Sequence, residues 1–223
     1  MNKTPLTTII VAGGKGERMQ SEMPKQFIEL RSLPILMHTI RVFYDFDAGM
    51  KLIVVLPETQ IVNWRALCKK HAFCIDHEVV AGGQTRFESV TNGLALAGSE
   101  GIIAIHDGVR PLVSCETISR CFDAAIQFGA AIPVMPPVES LRMITAEGSV
   151  SVDRNRYRMV QTPQVFRAEI IQQAYRQPYN QLFTDDASVV EYVGNTIQMV
   201  EGNAENIKIT LPADLLWAEN LIR

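Results

Sequence analysis

Short apolar, β-rich runs alternate along this chain with stretches of helical period, and that alternation restricts the fold more than any other feature. The runs fall at Leu6–Ala12, Lys51–Leu56, Glu78–Ala81, Gly101–Ile105 and Ala130–Met135. Runs such as Ile53-Val54-Val55-Leu56 and Ile102-Ile103-Ala104-Ile105 are apolar throughout, as strands covered on both faces must be. The segments between them carry buried stripes at helical spacing: Leu36, Ile40 and Phe43, then Ile61, Trp64 and Cys68, then Phe87, Val90 and Leu94. Pro34 and Pro212 are each placed to be the first residue of a helix. The expected architecture is an α/β, doubly wound, three-layer sandwich around a mostly parallel sheet. A chain of 223 residues with 47% hydrophobic content is enough for one such domain, spanning 1–223.

The pattern breaks between Pro136 and Phe166. Segments such as Ser149–Val152 and Tyr157–Val160 alternate over too few residues to complete an apolar face alone. A β-arm at about 136–166, projecting from the sandwich and packed on a second subunit, accounts for them; an ordinary surface hairpin does so equally well.

Charge and hydropathy exclude several classes of function. A formal net charge of −3 provides no basic field for nucleic acid or an anionic membrane, so any anion site must be local. No apolar run approaches the roughly 18 residues of a spanning helix, and Ile9–Ala12 is too short for a signal-peptide core, which predicts a cytoplasmic protein. The four cysteines, at Cys68, Cys74, Cys115 and Cys121, fit neither a zinc knuckle nor a CxxC redox pair and read as reduced structural thiols.

In an open parallel sheet, ligands gather at the carboxyl ends of the strands. After the first run comes Ala12-Gly13-Gly14-Lys15-Gly16-Glu17-Arg18-Met19, whose glycines admit a ligand close to the backbone and whose amides suit phosphate oxygens. Met19 stands where a dinucleotide fingerprint needs glycine, and the spacing of a Walker loop is absent. A tight turn without ligand would share the glycines. Arg18 and Lys25, the latter in Met23-Pro24-Lys25-Gln26-Phe27, add a planar fork and a point charge suited to a triphosphate. Solvated surface cations are the plain alternative.

Three further segments fall at suitable places. Asp107, in His106-Asp107-Gly108-Val109-Arg110-Pro111, is placed to hold Mg²⁺ against phosphates or to cap a turn; His106 reads as a packed or hydrogen-bonded imidazole. The Ala81-Gly82-Gly83-Gln84-Thr85-Arg86-Phe87-Glu88-Ser89 segment presents main-chain groups and the Ser89 hydroxyl to a base edge, or is a plain turn. Thr184 is a candidate helix cap ahead of Asp185 and Asp186. A short strand over Glu205–Thr210 carries Lys208, within reach of a second anion.

Taken together, AGGKGERM, MPKQF, GGQTRFESV, HDGVRP, VDRNRYRMVQTPQVF, TDDASVVEYVG and ENIKIT resemble, in order and across nearly the whole chain, the 2-C-methyl-D-erythritol 4-phosphate cytidylyltransferase family of isoprenoid precursor synthesis. The resemblance implies a Rossmann-like, nucleotidyltransferase-like fold. It also implies CTP in the first glycine loop at Ala12, Gly13, Gly14 and Gly16, with Arg18 and Lys25 stabilising the transition state. Asp107 would be the Mg²⁺ ligand, and Gly82, Gly83 and Ser89 would surround cytosine. The sugar-alcohol phosphate would meet Arg110, Ser140, Arg154, Thr162, Thr184 and Lys208, with Arg154 and Lys208 aiming its phosphate.

The same resemblance implies a homodimer joined through the arm, and tips the even choice above toward dimerisation. Ser140 stands where the family often has threonine, a swap that keeps the hydroxyl, and Glu205 where it often has aspartate. The related ribitol 5-phosphate cytidylyltransferases share the glycine loop but tend to lack Asp153-Arg154-Asn155 and the Thr184–Glu191 run. Runner-up functions are that second cytidylyltransferase and a non-catalytic nucleotide sensor.

Overall fold

The structure, a computed structural model, describes residues 4–14 and 23–222. Its strands are β1 (Leu6–Val11), β2 (Glu29–Leu30), β3 (Leu33–Pro34), β4 (Lys51–Leu56), β5 (Glu78–Ala81), β6 (Ile102–Asp107), β7 (Ala130–Met135), β8 (Arg142–Thr145), β9 (Gly148–Ser151), β10 (Met159–Val160), β11 (Gln164–Arg167) and β12 (Gln198–Glu201). The helices are α1 (Ile35–Phe46), α2 (Ile61–Lys70), α3 (Arg86–Ala97), α4 (Cys115–Phe128), α5 (Ala168–Ala174), α6 (Asp186–Tyr192) and α7 (Pro212–Leu221).

The main sheet runs β10-β7-β11-β6-β1-β4-β5, with β12 also paired to β7. The pairs β1–β4, β1–β6 and β4–β5 are parallel, and this parallel core is the predicted one. β11 is antiparallel to both β6 and β7, so the sheet is mixed at that side.

Helices cover both faces of the sheet, as alternation without an exposed strand face requires. On one face Ile10, Val54 and Ala104 pack with Leu36, Ile40, Phe43, Trp64 and Ile118. On the other, Ile9, Ile53, Val55 and Ile103 pack with Val90, Leu94 and Ile171. The hydrophobic stripes read from sequence on α1, α2 and α3 are the faces that meet the sheet. Burial pushes the Cys68 and Cys121 thiols up to about 11 and about 12, so both stay protonated, and all four cysteines are free. Among the described residues, no helix is long and apolar enough to cross a membrane.

Several local expectations change. Pro212 does open α7, but Pro34 lies one residue ahead of α1, because it is still paired in the β2–β3 hairpin. The 136–166 segment is only partly an arm. Its projecting portion is the β8–β9 hairpin, paired from Arg142↔Ser151 to Thr145↔Gly148. The chain then returns to the sheet as β10 and β11, where Val165 and Phe166 are fully buried. Their apolar character belongs to the central core, which a reading by local pattern assigned to the arm. Residues 205–210 form no strand: the buried Asn206 side chain donates to the Thr162 carbonyl, and Ile209 N–H donates to Val109 O, which replaces a ladder with tertiary hydrogen bonds.

Candidate functional site

The parallel pairing levels the strand ends, and that brings the loops together. Val11 stands opposite both Asp107 and Val55, and Leu56 opposite Ala81. The ladder continues one step into each loop, with Ala12 N–H donating to Val55 O, Gly82 N–H to Leu56 O and Gly108 N–H to Val11 O. The segments after β1, β4, β5 and β6 therefore emerge side by side.

They enclose a cleft of about 940 Å³. Ala12, Gly13, Gly14, Lys25, Gly82, Gly83, Ser89, Asp107 and Lys208 all line it, so the expected nucleotide residues converge there. Arg18 and Gly16 lie outside the described residues. Lys25 belongs to a single helical turn, Lys25–Phe27, anchored where Phe27 stacks on Trp64 with ring centroids 5.9 Å apart. A Cβ added at Gly14 would stand 3.5 Å from Lys25 Cε and 3.9 Å from Nζ, so the amine lies over the glycine loop.

The second glycine loop is held by the first turn of α3. Thr85 and Glu88 form a capping box, the Thr85 hydroxyl accepting from Glu88 N–H while the Glu88 carboxylate accepts from Gln84 and Thr85 N–H. Ser89 Oγ accepts from Gly83 N–H at 3.2 Å and donates to Thr85 O at 2.9 Å. A Cβ at Gly83 would come within 2.2 Å of Glu88 Cβ, so this close approach requires glycine.

Asp107 is the electrostatic centre of the cleft. Its Oδ2 accepts from Arg110 Nε at 3.0 Å and from Lys208 Nζ at 3.1 Å. Burial alone would raise its pKa, but the charges of Lys208, Arg86 and Arg110 outweigh it and hold the carboxyl well below the usual range. Asp107 is therefore an anion at neutral pH.

Behind it, His106 is fully buried, and burial lowers its pKa to about 4 although a hydrogen bond to the Arg110 carbonyl opposes this. The ring is neutral, with Nε2 donating to that carbonyl and Nδ1 accepting from Thr162 Oγ1. Thr162 Oγ1 in turn accepts from Asp107 N–H. The histidine is a packed, hydrogen-bonded imidazole, as expected, and its two bonds brace the segment that carries Asp107.

The remaining expected residues stand apart. Arg110 and Thr162 support Asp107 and do not line the cleft; Arg110 also donates to the Asn206 carbonyl at 2.8 Å. Thr184 is exposed and the cap of α6 is Asp185, whose carboxylate accepts from Ser188 N–H. Ser140 and Arg154 lie on the arm, exposed, with Arg154 donating to the Val138 carbonyl. Glu205 accepts from Asn203 and does not line the cleft.

Sequence reasoning missed Arg86, which lines the cleft and forms a two-pronged ion pair with the fully buried Asp186. A signal existed: a cation as the first residue of a helix opposes the helix dipole, so it needs a partner elsewhere.

Comparison with known proteins gives consistent matches. Residues 6–223 match the family described as 2-C-methyl-D-erythritol 4-phosphate cytidylyltransferase. The protein of that name from Bacteroides fragilis is 53% identical over 216 residues, covering 97% of this chain and 99% of the relative. The one from Bacteroides thetaiotaomicron is 52% identical over 209 residues, covering 94% and 95%. A crystal structure of 2-C-methyl-D-erythritol 4-phosphate cytidylyltransferase from Thermus thermophilus superposes with a TM-score of 0.79 at 30% identity, covering 97% of this chain and 98% of that one.

Proposed function

Since the chain belongs to the 2-C-methyl-D-erythritol 4-phosphate cytidylyltransferase family, we propose that the cleft at the carboxyl ends of β1, β4, β5 and β6 is where it transfers the cytidylyl group of CTP to 2-C-methyl-D-erythritol 4-phosphate. The products are the CDP-linked polyol and pyrophosphate, in the non-mevalonate route to isoprenoid precursors. One observation carries the placement of the site: Lys25, Asp107, Lys208 and both glycine loops line a single cleft.

The acceptor's phosphate attacks the α-phosphorus in line as pyrophosphate leaves. Phosphate monoesters have a second pKa of about 6, so the nucleophile is already ionised at neutral pH and no general base is needed. The work is electrostatic: two anions must be brought together and the charge of the transition state offset by groups fixed beforehand.

The amides of 12–14 face the triphosphate, Lys25 lies over them, and Arg18 acts from the segment beyond. Gly82, Gly83 and Ser89 surround the base. Lys208 takes the acceptor's phosphate beside Asp107, with Arg110 fixing that carboxylate, Thr162 holding the Asp107 backbone amide and Thr184 at the acceptor end.

A magnesium ion fits this donor set. Asp107 is held ionised at the cleft, and both of its ion pairs fall on Oδ2. One carboxylate completed by phosphate oxygens is how magnesium is commonly bound. When present, it neutralises charge on the phosphates.

The β8–β9 hairpin exposes Ile144 at 79%, Met143 at 53% and Val150 at 45%. We assign it to a homodimer in which a second copy's arm lies over the cleft and delivers Ser140 and Arg154 to the acceptor. Free cysteines support work in a reducing compartment such as the cytoplasm.

The reading is tested by a pyrophosphate-release assay crossing CTP, UTP, ATP and GTP with 2-C-methyl-D-erythritol 4-phosphate and ribitol 5-phosphate. Release with CTP and the first acceptor alone is expected. Calorimetric CTP binding without release for either acceptor would instead establish a sensor.

A further inference from the structure

The geometry points to the Arg86–Asp186 ion pair as the positioning element that holds the nucleotide loop and the acceptor loop in one register. This rests on the site assignment above and adds to it residues that need touch neither reacting phosphate.

Arg86 follows directly on the glycine loop at 82–85 and is the first residue of α3. Its Nη1 and Nη2 donate to the two oxygens of Asp186 at 2.7 and 2.6 Å. Asp186, with no solvent exposure, is the first residue of α6, two positions after Thr184. One contact therefore spans 100 positions of sequence and joins the segment assigned to the base with the segment assigned to the acceptor.

Both ends of this contact are fixed from other directions. Tyr175 donates its hydroxyl to Asp186 Oδ1 at 2.6 Å, and its ring stacks on Phe87 with centroids 4.6 Å apart. The start of α6 is tied to β11 as well: Gln164 donates to Asp185 Oδ2 at 2.8 Å and accepts from Ala187 N–H at 2.8 Å. Gln164 lies two residues beyond Thr162, which holds the Asp107 amide. The base loop, acceptor loop and central carboxylate are thus linked through named hydrogen bonds, with Arg86 as the step that crosses the cleft wall.

A planar fork explains the choice of arginine. Two parallel hydrogen bonds fix an angle as well as a distance, which a lysine's single ammonium cannot do. The burial of Asp186 makes the pair costly to break, since removing one partner leaves a charge without compensation.

Steady-state kinetics on the whole enzyme test the idea, with Phe122→Leu, a core change in α4 away from the cleft, as a control for simple loss of stability. Arg86→Lys and Asp186→Asn are each expected to raise KM for both CTP and the acceptor about tenfold. The double variant should be no worse than either single one, because both break the same contact.

Tyr175→Phe, which removes only a hydroxyl, should shift the same constants in the same direction by a few-fold and serves if the other variants fail to fold. Lowered thermal midpoints with unchanged KM values, as expected of Phe122→Leu, would overturn the proposal, and so would losses in the double variant that multiply. Lys25→Ala run alongside separates the two readings. If it abolishes turnover while Arg86→Lys leaves both KM values alone, the site assignment stands and only the positioning role falls.

Discussion

At the scale of single residues, the proposed chemistry rests on charge fixed in place before substrates arrive. Lys25 is held over the glycine loop by a turn whose next residue but one is anchored in the core, so its loss should spare the fold and remove transition-state stabilisation. Lys25→Ala and Arg18→Ala are each expected to lower kcat by about 10²- to 10³-fold, the scale seen when one preorganised oxyanion donor is deleted, with circular dichroism unchanged. Near-normal turnover in both would displace the assignment.

His106 gives a prediction in pH. Its folded pKa of about 4 lies below the ordinary 6.5, so as pH falls the unfolded chain takes up the proton first. The stability conferred by the neutral ring is full above about 6.5 and is lost progressively between about 6.5 and about 4. The thermal midpoint should fall across that window, and His106→Gln should flatten the fall while leaving the same-signed contribution of His38, whose pKa burial also lowers. An unchanged slope in the variant would place the dependence elsewhere.

At the scale of elements, what could be read from the sequence was whatever is encoded locally. β1, β4, β6 and β7 are apolar runs whose buried faces need no knowledge of a partner, and the helices' stripes are equally self-contained. The elements that were misread depend on distant chain. β11 is four residues long and gains its place from β6 and β7, while 205–210 is held by Thr162 and Val109 instead of by a ladder. The site followed the same rule: glycine loops and Asp107 announce themselves by position after a strand, but Arg86 is intelligible only once Asp186 is beside it.

The capped turn of α3 supplies this scale's prediction. Because a Cβ at Gly83 would collide with that of Glu88, Gly83→Ala must displace the capping box along with the loop. It is expected to raise KM for CTP several-fold and to lower stability by about 1 kcal/mol, the usual worth of a lost cap, as read by thermal melts. A variant with an intact CTP KM would show that this loop does not face the base.

At the scale of the whole molecule, the separation between the cleft and the arm is informative. Lys25 and Asp107 line the cleft, whereas Arg154 and Ser140 stand outside its wall. If a second copy supplies the arm, Lys25→Ala and Arg154→Ala proteins should each be nearly inactive, yet a mixture refolded together should recover about a quarter of the wild-type rate per mole, through mixed dimers with one intact site. No recovery, with dimers present by sedimentation, would mean that each chain serves its own cleft.

The return of the chain from the arm ties two tasks to one stretch of sequence. Residues 152–158 lead from the hairpin to β10, and between β10 and β11 lie Gln161 and Thr162, the latter accepting from the amide of Asp107. The segment that leaves the hairpin therefore runs on, within a few residues, into the one that braces the cleft's carboxylate. Under the proposed dimer, docking the arm and fixing Asp107 would fall to neighbouring residues of the same chain.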